Sequence, residues 1–147
     1  MPDDRRVSIK KVGVKGLRYP IVLRDKADGT QHTSALVNLY VDLPHDFKGT
    51  HMSRFIEVFD SHRRDLSMPR FLEMLEELRE SLDARTASAD LHFPYFIEKR
   101  APVSDQAAIM SYDCGYSGRA GPGGEQEFDV TVEVPVMTVC PCSKAIS

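Results

Sequence analysis

The hydrophobic period of this chain changes from that of a strand to that of a helix and back again, and this restricts the fold more than any other feature. Between Ser34 and Leu43, Val37, Leu39, Val41 and Leu43 alternate with Asn38, Tyr40 and Asp42, the pattern of a strand buried on one face. The apolar run Pro20-Ile21-Val22-Leu23 marks a shorter strand over 18–26, and Asp28-Gly29 between the two is a turn signal, so they read as a hairpin. Met52, Phe55, Ile56 and Phe59 then fall at i, i+3, i+4 and i+7. The spacing predicts a helix over 50–64, with Thr50 as its cap. A second helix over 67–84 opens on Ser67 and Pro69 and turns Phe71, Leu75, Leu78 and Leu82 inward. Glu73, Glu76, Glu77 and Glu80 form its solvated face.

Alternation then returns. Leu91, Phe93, Tyr95 and Ile97 share one side of a strand over 89–99, where Pro94 removes a donor and predicts an edge position. Ala108, Met110, Tyr112, Cys114 and Tyr116 share a side over 107–116. The Gly- and Pro-rich loop 117–124 follows, and Phe128, Val130, Val132, Val134 and Val136 give the cleanest strand pattern in the chain. Strands, then helices, then strands, is the grouping of an α+β fold with an antiparallel sheet. Residues 1–17 are basic and lack a period, so they read as an arm ahead of a module spanning 18–147.

At 147 residues the chain is one domain long and can bury a core without disulfide or metal staples. Nineteen Lys and Arg against 22 Asp and Glu give a net charge of −3, which is no footprint for duplex nucleic acid. No apolar run reaches the roughly 18–20 residues that span a bilayer. Met1–Arg6 has no apolar segment behind it, so no secretory signal is expected. Three cysteines, two of them nearly adjacent, do not form a disulfide framework, and the expected compartment is the cytoplasm.

The residues with chemistry to offer are few. Cys140-Pro141-Cys142-Ser143-Lys144 follows the last strand, where a thiolate is placed to ligate a metal or act as a nucleophile, with Lys144 favouring its charge. Cys-x-Cys alone is also compatible with incidental thiols. Cys114 reads as a small buried hydrophobe. Of the five histidines, His45 falls in a loop, His62 ends a helix, and His92 points outward from a strand. His51 sits in a first helical turn, where it either faces a cleft or merely begins the helix. There is no phosphate-binding Gly-x-x-x-x-Gly-Lys loop and no Gly-x-Ser-x-Gly elbow.

Two segments in this order are specific. Val139-Cys140-Pro141-Cys142-Ser143-Lys144-Ala145-Ile146-Ser147 resembles the hallmark of the type IB GTP cyclohydrolase I family, and Lys48-Gly49-Thr50-His51-Met52-Ser53-Arg54-Phe55 resembles its second signature. Arg18-Tyr19-Pro20-Ile21 and Val134-Pro135-Val136 are also similar to family sequence. The resemblance implies a tunnelling fold: a ββααββ unit, with a four-stranded antiparallel sheet and two antiparallel helices on one face. It implies homotetramers with active sites at subunit junctions. It also implies hydrolysis of GTP to formate and 7,8-dihydroneopterin triphosphate, the entry step to folate. The first cysteine of the family motif ligates a divalent metal, zinc or manganese; here that residue is Cys140, which carries both the metal and the catalytic assignment. Cys142 matches the motif without an assigned role, and no substrate-binding residue is assigned.

Family chains continue beyond this motif with a histidine-bearing segment, a guanine-anchoring glutamate and a second unit. The chain is therefore expected to be an N-terminal half, inactive by itself. The alternative is a non-catalytic module of the same fold that binds a pterin or purine, or serves as a scaffold.

Overall fold

A computed structural model describes residues 9–25, 29–44, 52–138 and 140. The elements are β1 (Ile9–Asp25), β2 (Gly29–Pro44), α1 (Met52–His62), α2 (Met68–Ser81), β3 (Thr86–Arg100), β4 (Ala107–Ala120) and β5 (Gln126–Glu133). All strand pairs are antiparallel and the sheet order is β1-β2-β3-β4-β5. Strands β2 and β3 are neighbours in the sheet although both helices lie between them in the chain. The helices are thus an excursion that folds back over one face. The α+β class and the ββααββ order agree with the sequence and with a tunnelling fold.

The sheet has five strands where four were expected. The fifth is the valine-rich segment, which pairs with β4 from Gln126 opposite Ala120 to Glu133 opposite Asp113 and stops before Val136. The arm also needs correction, because β1 begins at Ile9 and takes in residues 9–17. Periodicity missed this stretch because a bulge breaks it. The register shifts between Val14 and Leu17, where Gly16 has φ +73° and donates its amide to Asn38 Oδ1 at 2.7 Å.

Pro94 lies in β3, the middle strand of the sheet. The pairing of β2 with β3 ends at Leu36 opposite His92. Beyond it, β2 reaches β3 through side chains: Thr33 Oγ1 donates to the Pro94 carbonyl at 2.9 Å, and Gln31 bonds both the amide and the carbonyl of Phe96. The proline nitrogen therefore faces a side where the backbone ladder has already ended, and no donor is missed.

Alternation decides which face the helices cover. Ile21 and Leu23 on β1, Val37, Leu39 and Val41 on β2, and Ala89 and Leu91 on β3 are buried beneath Phe55 and Phe59 of α1 and Phe71, Met74, Leu75 and Leu78 of α2. Met52, expected in this core, is 43% exposed, since α1 starts there and its first turn overhangs the sheet. Ser67 has the extended backbone of a cap and Pro69 lies in the first turn, but the Ser67 hydroxyl makes no cap hydrogen bond. Thr50 lies outside the described residues.

Three contacts fix the helices laterally. Tyr19 donates to Asp60 Oδ1 at 2.6 Å, and its ring meets Phe59 edge-on at 5.6 Å. The segment between the helices is stitched to the free edge of β1, as Val22 donates to the Arg63 carbonyl and accepts from the Leu66 amide. Arg24 grips Asp65 with two parallel bonds at 3.0 and 2.9 Å. Over this stretch β1 is no longer open to another strand.

Gly118 on β4 makes a close helix–sheet approach possible. A Cβ there would lie 2.6 Å from Phe71 Cε1 and 3.0 Å from the Glu127 carbonyl oxygen. Phe71 fills that gap and stacks edge-on against Tyr116 and Phe128, tying α2 to β4 and β5. Gly118→Ala is therefore expected to cost roughly 1–3 kcal/mol by overpacking. Urea unfolding measures this, and an unchanged midpoint would show that α2 does not seat on Gly118.

Candidate active-site region

The hallmark cysteine lies past the end of the sheet. After Glu133 the chain leaves β5, residues 134–138 have no regular structure, and Cys140 is exposed. His51, Cys142 and Lys144 lie outside the described residues. Cys114 is half-buried, and burial, with the Asp113 carboxylate beside it, pushes its thiol above the ordinary range. His62 is buried at the end of α1 and bonds Glu77 of α2, so it clamps the two helices together.

Among the described residues, no group of three His, Cys, Asp or Glu is gathered in a way that could hold a metal ion. Cys140 offers one thiolate, and a catalytic zinc takes about three protein ligands. The described chain thus fits a metal as one corner of its site and does not supply the set.

The face of the sheet that the helices leave open carries a second feature. Arg18, Leu36, His92, Gly115 and Thr131 are successive cross-strand partners, forming one row across all five strands. Pro94, Asp113 and Glu133 form the next row. Apart from Gly115, these residues line a concavity of about 540 Å³, with Phe93 and Cys114 also at its wall. Gly115 lets it form, since a Cβ there would meet Thr131 Oγ1 at 2.7 Å. Sequence reading placed His92 outward but did not connect these residues. The period shows which side a residue takes, whereas the row depends on register, which no local pattern states.

A sequence model of the family described as type I GTP cyclohydrolase folE2 matches residues 1–147. The chain belongs to the type IB GTP cyclohydrolase FolE2 family. It is 54% identical over 147 residues to the GTP cyclohydrolase FolE2 of Syntrophus aciditrophicus (strain SB), a match covering 100% of this chain and 57% of that protein. It is 51% identical over 145 residues to the GTP cyclohydrolase FolE2 of Magnetococcus marinus, covering 99% of this chain and 54% of the relative. The protein of that name from Azoarcus sp. (strain BH72) is 49% identical over 145 residues, with 99% and 54% covered. The chain therefore spans a little over half the length of these FolE2 relatives. No helix among the described residues is long and apolar enough to cross a membrane.

Exposure and environment separate the two described thiols. With metal removed by chelator and Cys142 replaced by Ser, iodoacetamide at neutral pH should label Cys140 first. Cys114 should react only as the pH rises past the ordinary thiol range, because only the thiolate is nucleophilic. Peptide mass spectrometry reads the order, and equal labelling at neutral pH would contradict it.

Proposed function

We propose that this chain is the N-terminal portion of a GTP cyclohydrolase I that hydrolyses GTP to formate and 7,8-dihydroneopterin triphosphate, a cytoplasmic step in folate synthesis. The observation that carries this reading is the family match along all 147 residues, which includes the Cys140-Pro141-Cys142 motif. In this reading the Cys140 thiolate is one ligand of a divalent ion, zinc or manganese, and the other ligands come from the part of the relatives that this chain does not span. When bound, such an ion supplies a water acidic enough to attack a purine carbon at neutral pH. The position of Cys140 supports this, since an exposed thiol beyond a strand end can be approached from several directions.

A homo-oligomer, a tetramer in this reading, is supported by the apolar surface left bare. Residues 96–111 of the β3–β4 hairpin are all exposed, including Phe96, Ile97, Ile109 and Met110. Val130 and Val132 on β5 are more than half exposed. A two-stranded ribbon of this kind is marginal in water without something packed against it.

In the full-length protein, Cys140→Ala should abolish formate release from GTP while leaving the far-ultraviolet circular dichroism unchanged, because one small, exposed side chain beyond a strand end contributes little packing. The 147-residue chain should release none. Formate release that survives Cys140→Ala would remove Cys140 from the chemistry. A full-length protein that binds a purine or pterin without releasing formate would favour the non-catalytic module.

A further inference from the structure

Polar side chains on the open face of the sheet divide into two groups. Toward one end they pair off: Ser117 donates to Asp90 at 2.9 Å, Arg119 meets Glu125 at 2.8 Å, and Thr86 bonds Asp42. In the concavity they do not. Among the described residues, no hydrogen bond or ion pair engages the side chain of Arg18, His92, Asp113, Thr131 or Glu133. Arg24, Arg63, Arg79 and Arg119 are each held by a carboxylate, whereas Arg18 is not.

The unpaired groups are also sorted by charge. Arg18 stands on β1 at one side, and Asp113 and Glu133 stand on β4 and β5 at the other. Leu36 and Pro94 give an apolar floor between them. Neighbouring strands lie about 4.8 Å apart, so β1 and β5 are roughly 19 Å apart, and long side chains reaching inward shorten the gap. A simple polyanion meets repulsion at the carboxylates, and a simple cation meets it at Arg18. A ligand suits both sides when it has an anionic end, a flat middle and hydrogen-donating groups at the far end. That is the chemistry of a nucleotide.

We propose that this concavity is a nucleotide subsite, with Arg18 taking phosphate and Asp113 and Glu133 accepting from ribose hydroxyl or ring N–H groups. The proposal rests on the GTP reading and adds where this half of the protein touches the substrate. Strand β5 links the subsite to the cysteine. It ends at Glu133 on the rim; residues 134–138 beyond it are exposed, and so is Cys140.

Equilibrium dialysis of the full-length protein tests it, with GTP, guanosine and inorganic triphosphate as probes and formate release followed in parallel. Arg18→Gln should weaken GTP binding about tenfold or more, as expected for losing a bond to a charged group, and leave guanosine unchanged. Arg18→Lys should restore most of the loss. The double variant Asp113→Asn, Glu133→Gln should weaken both GTP and guanosine without weakening inorganic triphosphate. If all variants bind GTP as the parent does while the parent still releases formate, the subsite is overturned and the GTP reading stands. If the parent neither binds GTP nor releases formate, both fall.

Discussion

The fold depends on one face of the sheet being closed by two helices, and that closure turns on a small residue opposite a large one. Gly118 leaves room on β4, Phe71 of α2 enters it, and Tyr116 and Phe128 gather around the ring. Phe93 joins through Tyr116, at 5.1 Å between ring centroids. Edge-on aromatic packing of this kind adds to the area it buries. It also explains how a fifth strand is held: Phe128 gives β5 a hydrophobic anchor in addition to its ladder with β4. The valines beyond Phe128 on the same side extend past α2 and are left bare.

Sealing one face settles where chemistry can lie. The covered side is occupied by Phe, Leu, Val and Met, and among the described residues the buried polar side chain there, His62, is clamped to Glu77. Functional groups are left to the open face and to the strand ends. Cys140 lies beyond such an end, and the unpaired groups between Arg18 and Glu133 lie on the open face. The same economy bears on length. A chain spanning a little over half of its relatives presents a hairpin whose outer residues 96–111 touch no core, as expected where further structure packs.

Much of this was legible in the sequence. The helical spacing of Phe55, Phe59, Phe71, Leu75 and Leu78 identified residues that are all fully buried, because an amphipathic stripe has one place to go. The outward reading of His92 also holds. The misreadings share a cause, since each depends on a partner that a local window does not contain. Ile9–Leu17 looked patternless because a bulge at Gly16 reverses its alternation, and only pairing with β2 defines it as strand. Pro94 implied an edge, but the β2 ladder stops before reaching it. The row from Arg18 to Thr131 joins residues from all five strands and requires every register at once. Cys140 was singled out by family resemblance, for spacing alone left a lone Cys-x-Cys ambiguous.

The central claim is that the thiolate just beyond the sheet is a metal ligand in the full-length protein. X-ray absorption at the edge of the bound metal tests it directly, comparing the parent with Cys140→Ser. The account predicts a sulfur scatterer in the parent, at about 2.3 Å if the ion is zinc, which is lost in the variant while nitrogen and oxygen scatterers remain. A parent spectrum without sulfur, or a sulfur shell untouched by Cys140→Ser, would contradict it.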